Sequence, residues 1–311
     1  MNATRLTGLT GSVVALATPF HDGGIDPVAL VRLAERQVAR GTAAIVVCGS
    51  TGEAATMTEE EAGIAVGLVV QAVGGQVPVI AGCTASSTAQ AVRLAATAAR
   101  VGADALLCAA PPYVKPTQAG IVAHVRAVAH AASLPVMLYD VPGRAGVAIA
   151  DATVAELFAR DLIFALKDAT ADLSRPPRLR AICGPYLLQF SGDDATAGAY
   201  RAMGGVGCVS VTANVVPALC VALHRAWDAG DLAAFGRLQD QLAPLHDAMF
   251  AETNPIPVKA ALAHLGLCAA EVRLPLTRAV VATDMRLEAL LAELAPAEQR
   301  AAAPTALALA S

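Results

Sequence analysis

The sequence predicts a (β/α)8 TIM barrel, an α/β fold, followed by a C-terminal helical extension. Three observations lead there. Eight short apolar runs each precede a stretch with helical patterning or capping residues. The runs lack the in/out alternation of a half-exposed strand, as expected for parallel strands covered on both faces. No G-x-G-x-x-G follows the first run, which weakens the alternative of an open doubly wound sheet.

The first run is Val13 to Ala17, and Asp26-Pro27 then supplies an N-cap and a first-turn proline for a helix ending at Gly41. The second, Ala43 to Cys48, leads to a helix opening near Thr58-Glu59-Glu60-Glu61. Val77 to Ala81 precedes a helix from Ser87 to Val101, and Ala103 to Ala109 precedes one from Thr117 to Ala131. Pro135 to Tyr139 is followed by a helix from Asp151 to Arg160. Leu162 to Leu166 leads to a short helix near Asp172 to Ile182. Tyr186 to Phe190 leads to a helix near Asp194 to Met203, and Val206 to Val211 is the eighth run. The expected organisation is a catalytic barrel over residues 1–225, two or three further helices over 226–294, and an Ala- and Pro-rich flexible tail over 295–311.

Composition removes several classes of function. With 15% charged and 56% hydrophobic residues and a mean hydropathy of +0.55, the chain is not disordered. Two long uncharged stretches, Ala62 to Val92 and Met203 to Leu223, are broken by glycine and proline. They read as buried strands and helices, not as membrane spans, which need about 20 continuous apolar residues. The net charge of −4 with no basic stripe argues against nucleic acid. Seven cysteines form no C-x-x-C pair, and the six histidines show no ligand spacing, so neither zinc nor a disulfide framework is expected. No basic n-region leads into an apolar segment at the start of the chain, and the expected location is the cytoplasm.

A barrel of this kind carries its chemistry at the C-terminal ends of its strands. Those ends bear Gly49-Ser50-Thr51-Gly52-Glu53, Pro111-Pro112-Tyr113, Tyr139-Asp140-Val141-Pro142-Gly143-Arg144, Lys167 and Ser191-Gly192-Asp193-Asp194. Lys167 is the most informative. Only three lysines (Lys115, Lys167, Lys259) stand among 22 basic residues. A lysine kept where arginine fills most cationic positions suggests an amine that must lose its proton and attack a carbonyl. The other reading of Lys167 is a strand-end residue that snorkels to solvent or pairs with Asp168. The amides of the Gly49–Gly52 turn suit a carboxylate, or form an ordinary loop. Tyr139 suits proton transfer, or a satisfied core phenol. Arg144 suits a bidentate carboxylate contact, or is a lone surface arginine. Asp194 reads as a cap for the following helix more readily than as half of a metal pair.

The strand-end motifs sit in ordered segments along nearly the whole chain. These run from Val14–Phe20 (VALATPF) through Gly49–Thr56 (GSTGEAAT), Leu138–Gly146 (LYDVPGRAG), Leu166–Thr170 (LKDAT), Ser191–Ala197 (SGDDATA), Ser210–Pro217 (SVTANVVP) and Asn254–Lys259 (NPIPVK) to Arg273–Thr277 (RLPLT). In this order they resemble the dihydrodipicolinate synthases (4-hydroxy-tetrahydrodipicolinate synthases) of the pyruvate-dependent class I aldolase superfamily. The resemblance implies condensation of pyruvate with L-aspartate 4-semialdehyde in lysine and diaminopimelate biosynthesis, with no cofactor beyond an imine on Lys167. It implies Tyr139, Ser50 and Tyr113 as a hydroxyl relay, with Tyr113 reaching across a dimer interface. Thr51 and its neighbouring amides would hold the pyruvate carboxylate, Arg144 the carboxylate of the second substrate, and Gly192 and Val209 would line the pocket with backbone oxygens. It also implies a homotetramer built as a dimer of dimers.

Three positions depart from the family pattern. Ser50 replaces a common threonine and keeps the hydroxyl. Asp140 replaces an asparagine, and is expected to place a negative charge beside Tyr139 and Arg144, weakening Arg144 as a carboxylate clamp. Asp168 shortens a glutamate. Lysine-inhibited members carry a tyrosine where Pro112 stands, an asparagine at Ser86, a glutamate at Gln90 and histidines at Glu59 and Ala62, so feedback by lysine is expected to be weak or absent. The alternative functions are cleavage of sialic acid or another 2-keto-3-deoxy acid, and a non-catalytic barrel that binds a keto acid.

Overall fold

The computed structural model describes residues 6–303. Eight parallel strands close into a barrel in which each pairs with its sequence neighbours and the first with the last. They are β1 (Gly11–Ala15), β2 (Ala44–Val47), β3 (Val79–Gly82), β4 (Ala105–Ala109), β5 (Val136–Asp140), β6 (Ile163–Asp168), β7 (Leu188–Ser191) and β8 (Gly207–Ser210). A helix follows each strand in the same order: α1 (Pro27–Ala39), α2 (Glu59–Val73), α3 (Thr88–Arg100), α4 (Gln118–Ala132), α5 (Asp151–Ala159), α6 (Arg175–Cys183), α7 (Ala197–Ala202) and α8 (Pro217–Asp228). Three more helices, α9 (Leu232–Ala248), α10 (Ile256–His264) and α11 (Val281–Ala302), pack onto this frame. A small hairpin, Phe20–His21 with Gly24–Ile25, was not expected from the sequence.

Helix starts follow local chemistry. The Asp26 carboxylate accepts the Ala29 N–H and Pro27 occupies the first turn of α1. Ser87 and Thr117 cap α3 and α4 through their side-chain oxygens in the same way. Thr58 and Glu61 form a reciprocal capping box on α2. Buried residues on α1 recur at helical spacing (Leu30, Leu33, Ala34, Gln37), so one stripe faces the strands.

Two apolar clusters result. One fills the barrel interior, with Val13, Val46, Ile80, Leu107, Met137, Phe190 and Val209 among its members. The other lies between strands and helices. All seven cysteines are free thiols. Burial pushes Cys48 up to about 12, so it behaves as a small apolar group. No helix among the described residues is long and apolar enough to cross a membrane.

Two expected boundaries differ. Residue 225 falls inside α8, whose buried stripe of Leu219, Leu223 and His224 keeps it on the barrel. The expected tail from residue 295 is helical as far as Ala302, and residues 304–311 lie outside the described part. The reason is tertiary. Leu287, Leu291, Leu294 and Ala297 continue one buried stripe through Pro296. Beside Ala297, Glu298 accepts the Ala218 and Leu219 N–H groups at 3.0 and 2.9 Å. A carboxylate there satisfies first-turn amides of α8 that have no partner within the helix.

Candidate active site

The strand ladder between β5 and β6 contains a one-residue irregularity. Val136 pairs with Ile163, but Met137 pairs with Ala165, so Phe164 is the extra residue of a bulge. Beyond it the register runs Leu138 with Leu166, Tyr139 with Lys167, and Asp140 with Asp168. A bulge re-aims the residues that follow it. Here it sets Lys167 and Tyr139 side by side on the interior face. The Lys167 ammonium nitrogen lies 4.3 Å from the centroid of the Tyr139 ring. Both residues are buried, at 6% and 8% exposure, so the amine is not a surface group snorkelling to water.

Above Tyr139 opens a cavity of about 340 Å³, which Tyr139 lines and neither Lys167 nor Thr51 does. Gly49, Ser50, Thr84, Tyr139, Arg144 and Asn254 are among its lining residues. Its walls come from the loops after β2, β3, β4 and β5 and from the C-terminal extension. Neither Ser50 nor Thr51 spends its backbone N–H in a main-chain hydrogen bond among the described residues. The turn is closed instead by Gly52 N–H to Gly49 O (3.1 Å) and Glu53 N–H to Ser50 O (3.1 Å). Thr51 is buried, and its hydroxyl accepts from the Asn254 side-chain amide at 3.0 Å. Arg144 donates to the Asn254 carbonyl at 3.0 Å.

One glycine is required by this packing and a second is closely packed. A Cβ on Gly82 would lie 1.9 Å from the Cys48 carbonyl oxygen, so only glycine lets the loop after β2 cross the end of β3. A Cβ on Gly192 would lie 3.2 Å from Lys167 Cε and 3.0 Å from Ala169 Cβ. Gly192 thus borders the lysine side chain directly. Val209 is fully buried in the barrel interior beside Val13. Neither Gly192 nor Val209 lines the cavity above Tyr139.

Tyr113 stands apart from the other residues singled out in the sequence. It is 94% exposed and adopts φ +72°, a left-handed backbone that costs a non-glycine residue energy. Within one chain it does not line the cavity that Ser50 and Tyr139 share.

Two expectations need correcting. Asp140 does not lie beside Arg144. Strand residues alternate in direction, so Tyr139 points inward and Asp140 toward the helix layer. There its carboxylate meets the buried Arg175 guanidinium at 2.7 Å and accepts the Ile149 N–H at 3.2 Å. Burial pushes the Asp140 carboxyl up, opposed by Arg175 and by the Ile149 N–H. Asp140 is thus paired away from the cavity and does not oppose Arg144. Asp194 does not cap the following helix either. Its carboxylate accepts the Val211 and Thr212 N–H groups at 2.8 and 3.2 Å and the Ser210 hydroxyl, tying the β7 loop to the end of β8. No cluster of three or more potential metal ligands occurs among the described residues.

Sequence reasoning assigned no role to Asn254, Glu53, Lys259 or Arg175. Glu53 and Lys259 form an ion pair at 2.8 Å with both side chains fully buried. Glu53 also accepts the Arg273 N–H at 3.0 Å. The Lys259 ammonium lies 4.1 Å from the Phe20 ring centroid. Burial holds the Lys259 ammonium below its ordinary range, partly offset by Glu53. The loop bearing Ser50 and Thr51 is thereby fastened to α10 and the segment before α11. The scarcity of lysine, which drew attention to Lys167, marks Lys259 as well.

A second cavity, of about 150 Å³, adjoins the first and shares Ala54, Ala55, Thr84 and Pro112 with it. Pro112, Ser86, Gln90, Glu59 and Ala62 all line it. Its Glu59 carboxylate is already bound bidentately by Arg93, at 2.7 and 2.9 Å.

The model of the Dihydrodipicolinate synthetase family matches residues 8–294. A 4-hydroxy-tetrahydrodipicolinate synthase from Rhodospirillum centenum is 48% identical over 273 residues, covering 88% of this chain and 94% of that protein. Dihydrodipicolinate synthase from Aquifex aeolicus superposes with a TM-score of 0.89 at 38% identity, covering 92% of this chain and 98% of that one. The chloride-inhibited dihydrodipicolinate synthase from Acinetobacter baumannii, solved in complex with pyruvate, also gives 0.89 at 38% identity, over 92% and 99% of the two chains. A buried amine against a tyrosine at a barrel mouth thus occurs in a chain aligned over most of its length with these proteins, and the chain belongs to the dihydrodipicolinate synthetase family.

Proposed function

We propose that the chain condenses pyruvate with L-aspartate 4-semialdehyde to 4-hydroxy-tetrahydrodipicolinate, the lysine-biosynthetic reaction for which its relatives are named. The carrying observation is the Lys167 amine, buried 4.3 Å from the centroid of the Tyr139 ring, with Tyr139 itself lining the cavity that Ser50 and Arg144 share.

The Lys167 nitrogen adds to C2 of pyruvate, and water leaves as the imine forms. The pyruvate carboxylate is held by the Ser50 and Thr51 N–H groups. Loss of a methyl proton turns the iminium into an enamine, whose terminal carbon attacks the aldehyde. Tyr139 carries protons between these steps through the Ser50 hydroxyl. The substrate's own amine then displaces Lys167 and closes the ring. One water is released overall and the amine is regenerated, so no cofactor is consumed.

Arg144, at the cavity wall, binds the carboxylate of the semialdehyde. Its position favours a small second carboxylic acid over a long polyhydroxylated one. Tyr113, exposed and backbone-strained, completes the relay of a second copy of the chain, in a homotetramer arranged as a dimer of dimers.

The test is an assay of pyruvate with L-aspartate 4-semialdehyde beside a panel of 2-keto-3-deoxy sugar acids. Arg144→Ala should raise the KM for the semialdehyde by about 10- to 100-fold, the loss of one hydrogen-bonded charge contact of about 1.5–3 kcal/mol. The KM for pyruvate should move little. Unchanged condensation in this variant, or preferential cleavage of the sugar acids, would exclude the assignment.

L-Lysine at millimolar concentration should leave the rate within about twofold of its value without lysine. The groups that would hold a lysine ligand are replaced in the second cavity, and Glu59 is occupied by Arg93. Half-inhibition below about 1 mM, a binding free energy beyond about −4 kcal/mol, contradicts this.

A further inference from the structure

Arg175 opens α6, outside both strands that carry the Lys167–Tyr139 pair, yet its guanidinium is 3% exposed. It donates from Nη1 to Asp140 (2.7 Å) and Asp168 (3.4 Å), from Nε to Asp151 (2.9 Å) and from Nη2 to the Ile149 carbonyl (2.7 Å). Asp168 is held further by the Thr170 N–H and hydroxyl at 2.9 and 2.7 Å and by the Tyr200 hydroxyl at 3.3 Å. Burial alone would lower Arg175, but Asp168 and Asp140 outweigh it and hold the guanidinium charged.

These contacts fall at one place in the ladder. Asp140 and Asp168 are register partners on the outer face of β5 and β6, and the preceding partners, Tyr139 and Lys167, share the inner face. Two like charges directly opposite each other on neighbouring strands repel. A slip of one residue turns every following side chain to the other face, and a bulge is where the pairing already shifts by one. Here such a slip would replace Lys167 by Leu166 opposite Tyr139. The bulge at Phe164 lies within the same strand as Lys167.

We infer that Arg175 is a positioning residue for imine formation: by bridging Asp140 and Asp168 it locks the bulged end of the β5–β6 ladder and so holds Lys167 against Tyr139. It touches neither substrate nor the reacting nitrogen. Lysine in its place would carry the charge without the planar fork, and would reach one carboxylate at a time. The inference rests on Lys167 as the imine-forming residue.

The experiment measures single-turnover trapping of pyruvate by borohydride, read as the mass of the adduct and normalised to folded protein, together with kcat and the KM for pyruvate. Two variants are compared with the parent: Arg175→Lys, and the charge-neutral D140N/D168N/R175Q, which keeps packing without leaving an unpaired buried charge. In Arg175→Lys, trapping and kcat should fall about 10- to 100-fold, the scale of an ångström misplacement of a reacting group, while the KM for pyruvate changes less than about threefold. The triple variant, which removes the repulsion together with the bridge, should fall less. A folded Arg175→Lys variant that traps pyruvate at the parental rate, or a folded triple variant that loses as much trapping as Arg175→Lys, overturns the inference. If the parent itself forms no adduct at Lys167, the proposed reaction fails, independently of Arg175.

Discussion

Replacing Lys167 with arginine should lower condensation by on the order of 10³-fold or more, the scale seen when a covalent nucleophile is removed. Arginine keeps the positive charge and approximate length but has no amine that loses its proton in a protein. The substitution therefore separates charge from nucleophilicity. The Tyr139 ring would still face a cation, and the cavity walls from the β2 and β5 loops would remain. Borohydride with pyruvate should add one reduced pyruvyl group to the parent and none to Lys167→Arg. Undiminished turnover, or an adduct mapped to Lys115 or Lys259, would remove the basis of the mechanism. Lys259 is the informative control, because it is also buried but already committed to Glu53.

The second large effect is on stability. Lys259→Met should destabilise the protein by about 3–5 kcal/mol, since it leaves the Glu53 carboxylate buried and unpaired. For a chain of this size that is a fall in Tm of roughly 5–15 °C. E53Q/K259M, which removes both charges, should recover most of the loss, because well-packed neutral replacements of a buried ion pair are commonly near neutral. Asn254 holds the Thr51 hydroxyl, and the Arg273 guanidinium donates to the Thr56 carbonyl, both independently of the Glu53–Lys259 pair. The double variant should therefore fold and show a raised KM for pyruvate with a smaller change in kcat. Equal melting temperatures for the parent and Lys259→Met would show that the pair contributes nothing net.

Part of the site was readable because strand ends in a barrel converge wherever they lie in sequence. The order of apolar runs located those ends, and the scarcity of lysine singled out Lys167. Asp140 shows how adjacency misleads. It follows Tyr139 directly and precedes the turn that carries Arg144, yet it faces the opposite side of the strand, where Arg175 neutralises it. Strand alternation alone predicts that reversal; the identity of its partner, 35 residues away, does not follow from it. The end of α11 was misread for a related reason. Alanines and a proline look like a frayed tail until Glu298 is seen capping α8, 80 residues earlier.

The barrel, its order of strands and helices, and the chemical types gathered at its mouth were all written in the chain, because periodicity, capping and composition are local properties. Which carboxylate meets which cation, where β6 bulges, and how the extension after α8 braces the loop carrying Ser50 and Thr51 emerged only with packing in three dimensions. Pairing energies between buried charges depend on distance and desolvation, and both exist only once remote segments have come together.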